Sequence, residues 1–425
     1  MLKYSINLTL MLFLFVCCTK NKADNIKKST PDKAIYIDDN MAVINDTISI
    51  SDIANDLLYI PLEKTKEKIT IGRVMIDEQL VFILDYYTNS LYLFNFDGNF
   101  IRKISNERTE IQGFDLIREK KLILSSHNKG FSIYDYEGNL IKNTILDKAI
   151  MSDFNPTGNS IAAMDTSHIL LSIWNMGYNE HQLIVTNSDG DILKAFPNTD
   201  KFTSEKIGRF EAMRFQRCLF KYYNSVMYHP YYSDTLYQWS DNLIEPVVIE
   251  TKIDKVPVEQ RLEYTGDLHS LIKYCLENKV HTTRFFVNSR YILAVYNLSV
   301  HQSVDSYLLF DKQEEKVYQY EQELHFNGKM LHYGIYNDFD GGMPFIPSDI
   351  SGDYLIGHYD AFLFKERYLN GHTSKCVGEN CPPNAHFDFR TDKFMNIKHK
   401  EAVDKLVNKI YRDDNPILMI LILKK

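Results

Sequence analysis

The stretch Asn89–Ile104, NSLYLFNFDGNFIRKI, contains two short strands joined by a tight turn. Leucine alternates with an aromatic residue from Leu91 to Phe94, and this period of two is that of a β-strand. Asp97 and Gly98 favour positive φ, so the segment predicts a hairpin with a two-residue type I′ turn. The same unit returns as GFSIYDYEGNLIKNT at 130–144 and as HQLIVTNSDGDILKAF at 181–196.

The repeat predicts a β-propeller. Two strands at 74–76 and 80–84 precede the first hairpin, which makes four antiparallel strands in succession. Gly98 and Gly138 lie 40 residues apart, as expected for a four-stranded blade. Further hairpins at 234–250 and 306–321 bring the total to five.

The strand at 416–425 has no partner after it, so we expect it to pair with an N-terminal strand and close the ring. The predicted fold class is therefore all-β, a six-bladed propeller of four-stranded antiparallel blades.

Three further segments interrupt or flank this repeat. The alternation of isoleucines predicts a strand at 44–50. Apolar residues at helical spacing predict a helical insertion at 258–279, between the fourth and fifth hairpins, and a short amphipathic helix at 400–411.

The first residues form a targeting signal. Lys3 is followed by an apolar run at 6–16, which is short for a membrane span, and the run ends at Cys17 and Cys18. This arrangement resembles a bacterial lipoprotein signal, with Cys18 as the lipidated residue and Cys17 as the alternative; a secretory signal with incidental cysteines stays open. The expected domains are a signal peptide at 1–18, a polar tether at 19–33 and a propeller at 34–425.

Composition excludes some classes of protein. The formal net charge is −8 and no basic stripe runs along the chain, which argues against nucleic-acid binding. Six cysteines in 425 residues, scattered apart from two close pairs, do not form a small-protein disulfide framework.

Three segments resemble a family of bacterial six-bladed β-propeller lipoproteins. They are IPLEKTKEKITIGRVMIDEQLVFILDYYTNSLYLFNFDGNFIRKI at 60–104, NDFDGGMPFIP at 337–347 and DDNPILMILILKK at 413–425. The hairpin pattern is also similar to that of the wider NHL-repeat and TolB-like propeller group. The resemblance implies the propeller fold and a location in the cell envelope. It supplies no catalytic residues, because the activity of the family is mostly undefined. The loop at 105–110 lacks the glycine-rich turn that family members often have.

One cluster has metal-ligand chemistry. His372, Cys376, Cys381 and His386 offer two thiols and two imidazoles, which could hold zinc. The spacing matches no common zinc module, and outside the cytoplasm Cys376 and Cys381 more simply form a disulfide. We favour the disulfide, with free thiols and zinc as alternatives, and we expect no cofactor.

A second cluster lies in the segment at 337–342. Asp338 and Asp340 precede two glycines, an arrangement that could hold calcium, although a turn explains it more simply. If this segment lies at the mouth of the propeller channel, Asp338, Asp340 and His332 are the expected ligand contacts.

The sequence contains no G-x-S-x-G, phosphate loop, H-E-x-x-H or C-x-x-C motif. The leading hypothesis is a non-enzymatic ligand- or protein-binding module, lipid-anchored in the bacterial cell envelope at the outer membrane, with either side of that membrane open. Its expected partners are the membrane, an envelope protein, or a glycan or peptide. The alternative is a propeller hydrolase or lyase acting on extracellular carbohydrate or peptide at the central channel.

Overall fold

The computed structural model describes most of the chain from residue 34 onward. The described residues are 34–37, 42–45, 48–104, 110–146, 160–173, 179–199, 201, 218–222, 225–230, 233, 235–240, 243–250, 270, 273, 277, 281–298, 303–321, 325–326, 329–330, 334–369 and 397–425.

Strands dominate the described residues. In chain order they are β1 (Ile35–Ile37), β2 (Ala42–Asn45), β3 (Ala54–Pro61), β4 (Ile71–Asp77), β5 (Leu80–Asp85), β6 (Ser90–Asn95), β7 (Phe100–Ile104), β8 (Gly113–Ile117), β9 (Leu122–His127), β10 (Gly130–Asp135), β11 (Leu140–Ile145), β12 (Ile161–Ala163), β13 (Ile169–Ser172), β14 (His181–Thr186), β15 (Ile192–Pro197), β16 (Leu219–Tyr222), β17 (Ser225–Tyr228), β18 (Thr235–Ser240), β19 (Leu243–Glu250), β20 (His281–Val287), β21 (Tyr291–Leu298), β22 (Ser303–Asp311), β23 (Lys316–Glu321), β24 (His325–Phe326), β25 (Lys329–Met330), β26 (Asp349–Ser351), β27 (Tyr354–Tyr359) and β28 (Ile417–Leu423). The helices are α1 (Ile50–Ile53), α2 (Ala361–Leu369) and α3 (Ile397–Lys409).

The strands form six antiparallel blades around a central channel, which confirms the predicted six-bladed propeller. Blades 1, 2 and 3 are β4–β7, β8–β11 and β12–β15. Blades 4 and 5 contain β16–β19 and β20–β23, and blade 6 consists of β26, β27, β28 and β3. The first strand of each blade contacts the first strand of a neighbouring blade, so these strands line the centre. All five predicted hairpins are the outer hairpins of blades 1 to 5.

The last strand and a strand of the N-terminal region close the ring in blade 6, as predicted. Strand β28 pairs with β27 on one side and with β3 on the other, in a register that places Ile417 opposite Pro61 and Leu421 opposite Leu57. Six of the seven residues of β28 are buried. A C-terminal strand therefore occupies the third position of a blade whose outermost strand comes from the N-terminal region.

Strands β1 and β2 extend two blades beyond the predicted four strands. Strand β1 pairs in parallel with β19 of blade 4, and β2 pairs in parallel with β23 of blade 5. Each covers an outer edge that would otherwise present unpaired backbone groups.

The prediction of one strand at 44–50 was wrong. Strand β2 ends at Asn45, and Ile50 begins α1. The Asp52 carboxylate accepts a hydrogen bond from the Ser49 backbone N–H at 2.8 Å, which stabilises the start of that helix. Local capping therefore outweighs the alternation of isoleucines.

The predicted type I′ turn was also wrong. The Gly98 N–H donates to Asn95 O at 3.0 Å and the Asn95 N–H to Asn99 O at 3.0 Å, so the loop has three residues. Gly98 has a φ of 87° and Asp97 has no positive φ. This is a type I turn followed by a glycine bulge. The same bonds recur at Gly138 and Gly190.

The structure describes one of the two predicted helical segments in full and the other in part. The helix predicted at 400–411 is confirmed as α3, at Ile397–Lys409. Of the predicted insertion at 258–279, only Ser270, Lys273 and Glu277 are described, and all three are helical. Helix α2 was not predicted; its Phe364 is fully buried against Tyr59 and Tyr359.

The core lies between neighbouring blades. In β6, Leu91 and Leu93 pack with Phe114 of blade 2, whereas Tyr92 and Phe94 pack with residues of blade 6. Both faces of a blade are therefore buried, which is why its strands are apolar on both sides. The turns between the first two strands of blades 1, 2 and 6 are short, at 78–79, 118–121 and 352–353, and they lie on one face of the disc, called here the short-turn face.

Candidate functional site

Polar side chains of the innermost strands cap the backbone of the neighbouring blade. Asp349 Oδ2 accepts a hydrogen bond from the Val74 N–H at 3.1 Å, and Asp115 Oδ2 accepts one from the Ala163 N–H at 2.8 Å. Ser160 Oγ accepts one from the Cys218 N–H at 3.0 Å. The innermost strand of a blade is a sheet edge, and these side chains satisfy donors that the sheet leaves over.

Two cations bridge different blades across the centre. At the short-turn face, Arg118 Nη2 donates to Ile76 O of blade 1 at 3.2 Å and to Ser351 Oγ of blade 6 at 2.9 Å. Lys221 of blade 4 donates from Nζ to Leu116 O of blade 2 at 2.7 Å. Both side chains thus hold non-adjacent parts of the ring together.

The Asp77 carboxylate is engaged by several donors. It is 8% exposed and accepts hydrogen bonds from Tyr136 Oη at 2.7 Å and Lys121 Nζ at 3.2 Å, with Arg118 Nε at 3.7 Å. Burial, together with the hydrogen bond to Asp77, raises the pKa of Tyr136 well above its ordinary value. The phenol therefore stays protonated and acts as a donor to Asp77.

Asp115 is fully buried beside a cation. Its Oδ2 lies 3.8 Å from Lys221 Nζ, in addition to the bond from Ala163. The Asp77 and Asp115 carboxylates therefore have cationic and hydrogen-bonding partners. These contacts join neighbouring blades and compensate the two buried negative charges.

Arg73 differs from these groups. It lies on β4, is 7% exposed, and places its guanidinium 5.5 Å from the centroid of the Phe114 ring. Burial lowers the pKa of Arg73, the Asp115 charge opposes this effect, and the Arg118 charge adds to it. Within the described part of the chain Arg73 makes neither a hydrogen bond nor an ion pair.

A second distinctive surface lies on the outer rim of blades 1 to 3. Two residues after the turn glycine, each outer strand carries two adjacent large apolar residues, called here the rim pairs. Their exposed fractions are 39% and 38% for Phe100 and Ile101, 50% and 57% for Leu140 and Ile141, and 49% for both Ile192 and Leu193.

The rim of these blades is continuous. Arg102 of blade 1 donates from Nη1 to Glu137 O of blade 2 at 2.7 Å, and Lys142 of blade 2 contacts Asp189 of blade 3 at 2.5 Å. Each outer strand is thus tied to the hairpin turn of the next blade, and the rim pairs repeat along one surface.

The structure describes two of the predicted ligand residues. Asp338 accepts hydrogen bonds from the backbone N–H of Ser51 at 3.0 Å and from the Ser51 hydroxyl. Asp340 is 3% exposed, and its Oδ1 accepts hydrogen bonds from Asn337 Nδ2 at 2.8 Å and from the Gly342 N–H at 2.7 Å. Both carboxylates take part in an ordered turn, and their proposed role as ligand contacts stays a prediction.

The other predicted site residues lie outside the described residues. They are Cys17, Cys18, His332, His372, Cys376, Cys381 and His386. Among the described residues, no group of three or more His, Cys, Asp or Glu side chains is arranged to hold a metal ion.

Sequence reasoning did not find Arg73, Asp115, Arg118 or Lys221. One signal was present, because Arg73 interrupts the apolar run of ITIGRVMI at 69–76. Charged residues are rarely buried unless they are paired, so a charge inside an inner strand is an informative signal. The rim pairs also repeat visibly after each turn glycine.

No helix in the described part of the chain is long and apolar enough to cross a membrane. No curated protein matches the chain.

Among solved structures, a Bacteroides fragilis protein described as a "putative exported protein" is similar, with a TM-score of 0.64 and 16% identity over 91% of this chain and 99% of that one. A DUF4221 protein from Bacteroides vulgatus has a TM-score of 0.42 and 12% identity, over 63% of this chain and 86% of that one. A virginiamycin B lyase from Staphylococcus aureus has a TM-score of 0.37 and 9% identity, over 64% and 76%. The first likeness shows the shared fold, whereas the TM-scores of the other two are too low to show it.

A family model, described as domain of unknown function DUF4934, matches residues 34–421, which is nearly all of the propeller. The chain therefore belongs to the DUF4934 family.

Proposed function

We propose that this protein is a lipid-anchored binding module of the bacterial cell envelope, which takes an extended segment of a partner protein on the rim of blades 1 to 3. The observation that carries the proposal is the repetition of exposed rim pairs on three successive sheet edges that have no fifth strand among the described residues. Adjacent apolar residues that recur at an equivalent position mark an interaction surface.

The molecule itself indicates what such an edge binds. Blades 4 and 5 carry β1 and β2 on their outer edges, and these strands have the sequences Ile-Tyr-Ile and Ala-Val-Ile-Asn. Blades 1 to 3 end at β7, β11 and β15 in the described part of the chain. An extended apolar strand is therefore the occupant that fits, by the mode of strand addition.

The engagement of the channel carboxylates supports a binding role. Asp77 accepts hydrogen bonds from Tyr136 and Lys121, and Asp115 accepts one from Ala163 beside Lys221, so both carboxylates take part in contacts that hold the ring together. The rim pairs, in contrast, are exposed and offer a surface on which a partner protein can bind.

We also propose that the protein is located in the cell envelope. The lipoprotein-like signal places a lipid on Cys18, or on Cys17, and the tether at 19–33 joins it to the propeller. The similar Bacteroides fragilis protein is described as exported, which is consistent with this address. We place the protein at the outer membrane, in the NHL- and TolB-like group of propellers.

The proposal is tested with a fluorescent synthetic peptide that copies residues 34–46, the segment containing β1 and β2. We expect saturable binding to the full-length protein by fluorescence anisotropy. Replacing Leu140, Ile141, Ile192 and Leu193 with lysine should weaken binding about tenfold or more, since lysine on an edge strand blocks strand addition.

The matched control places lysine at Leu369 and Tyr411, two exposed apolar residues outside the rim that are 61% and 70% exposed. This variant should bind like the wild type. A peptide with proline at alternate positions should not bind, because proline lacks the N–H that pairs strands. Equal binding by the rim variant and the wild type would overturn the proposal.

A further inference from the structure

Arg73 occupies an unusual position in the ring. This residue lies on the innermost strand of blade 1, between the partly buried Gly72 and the buried Val74, and beside the Phe114 ring. A buried guanidinium loses its hydration, and this cost is normally offset by a carboxylate or by hydrogen bonds to each N–H group.

The Asp115 charge favours the charged form of Arg73, but the two side chains form neither a hydrogen bond nor an ion pair. Asp115 accepts the Ala163 N–H and faces Lys221, and Asp77 accepts bonds from Tyr136 and Lys121. Among the described residues none forms a hydrogen bond or an ion pair with the Arg73 guanidinium.

The charges near the channel are otherwise balanced. Four cations, Arg73, Arg118, Lys121 and Lys221, face four carboxylates, Asp77, Glu78, Asp115 and Asp349. Arg73 is the one of these four cations that makes neither a hydrogen bond nor an ion pair among the described residues.

We propose that the central channel binds a small oxyanion, a carboxylate or a phosphate group, as the counterion of Arg73. The planar guanidinium presents paired N–H donors that match two oxygens of such a group, and charge-assisted bonds of this kind are strong. Arg118 and Lys221 add positive potential while they hold the ring. This site is separate from the rim and does not depend on the proposed partner strand.

The test measures thermal unfolding of the purified full-length protein in sodium chloride, sodium phosphate and sodium succinate at equal ionic strength. We expect phosphate or succinate to raise the unfolding temperature above its value in chloride. A response to phosphate alone identifies a phosphate site, and a response to succinate alone identifies a carboxylate site. An equal response to all three salts would overturn the proposal.

The decisive variant is Arg73→Met, which keeps the length of the side chain and removes the charge. It should lose the response to the anion, and in chloride it should unfold at the same temperature as the wild type or higher, because an unpaired buried charge has been removed. If Arg73 served only to pack against Phe114, the variant would unfold earlier in chloride and keep the anion response, which contradicts the proposal.

Two further variants complete the design. Arg102→Met removes an arginine of the outer rim that is paired with Glu137, and it should keep the full anion response. Arg73→Lys keeps the charge without the planar fork, and calorimetric titration with the responding anion should show binding weakened about tenfold or more. This variant serves as the test if Arg73→Met fails to fold, and unchanged affinity would contradict the proposal.

Discussion

At the scale of single residues, the interior changes the chemistry of Lys312. Its ammonium donates hydrogen bonds to Asn288 O at 2.6 Å and to Tyr222 Oη at 3.3 Å, and it lies 4.6 Å from the centroid of the Tyr222 ring. These contacts compensate only part of the lost hydration, and burial lowers the pKa of Lys312 to about 8.

This lowered pKa predicts how stability depends on pH. Between pH ~8 and ~10.4 the unfolded chain binds more protons at Lys312 than the folded protein does, so this residue makes stability rise with pH across that window. Below pH ~8 Lys312 is charged in both the folded and the unfolded chain, so the full cost of burying the charge lowers the free energy of unfolding. Urea unfolding at several pH values should show a shallower rise for Lys312→Met than for the wild type. Lys316→Met, an exposed neighbour, should keep the wild-type slope, and an unchanged slope for Lys312→Met would contradict the assignment.

At the scale of the element, the hairpin turn shows why each unit requires glycine. Gly98, Gly138 and Gly190 have φ values of 87°, 86° and 90°, and each turn packs on the end of the outer strand of the preceding blade. A Cβ at Gly98 would lie 2.2 Å from Pro61 O. The glycine therefore serves both the bulge and the packing between blades.

We predict that Gly98→Ala destabilises the protein by about 3 kcal/mol or more. The left-handed conformation accounts for ~1–2 kcal/mol of this, and the clash with the backbone of blade 6 for the remainder. Gly352→Ala is the matched control, since Gly352 has a φ of 63° and no atom within 4 Å of the added Cβ. It should cost only ~1–2 kcal/mol. Equal losses of unfolding free energy in urea would show that the contact with Pro61 contributes nothing.

At the scale of the whole molecule, ring closure depends on β28. This strand lies between β27 and β3, and it is the element that joins the last blade to the N-terminal region. Its buried residues pack on both sides of blade 6, since Met419 and Leu421 belong to one core cluster and Leu418 and Ile420 to another.

We predict that truncation after Asn415 abolishes folding, because β3 and β27 both lose their partner and the ring opens. Size-exclusion chromatography and limited proteolysis should show an expanded, rapidly cleaved chain. Truncation after Lys424 is the control, since it removes only a lysine that is 77% exposed and ion-paired with Asp353. A compact, protease-resistant product from the first truncation would show that β28 is not required for closure.

Local patterns and tertiary contacts thus account for different parts of this protein. Alternation of side chains and turn chemistry act over neighbouring residues, so the repeated hairpins, the unpaired last strand and the number of blades were readable from the sequence. The turn type was not, because Gly98 must accommodate Pro61, a residue 37 positions earlier. The fifth strands were not readable either, because β1 and β2 pair with strands more than 200 residues away.

The sequence by itself determined the fold class, the blade count and the closure of the ring, since these follow from periodicity and from the need to bury sheet edges. Only the tertiary structure decided which polar groups meet at the centre. Arg118 contacts Ser351, which is 233 positions away, and Lys221 contacts Leu116, which is 105 positions away. Such contacts depend on how six inner strands converge on one axis, and no local pattern encodes that convergence. The isolated charge of Arg73 was visible in the sequence, but only the folded ring shows that no described residue forms a hydrogen bond or an ion pair with it.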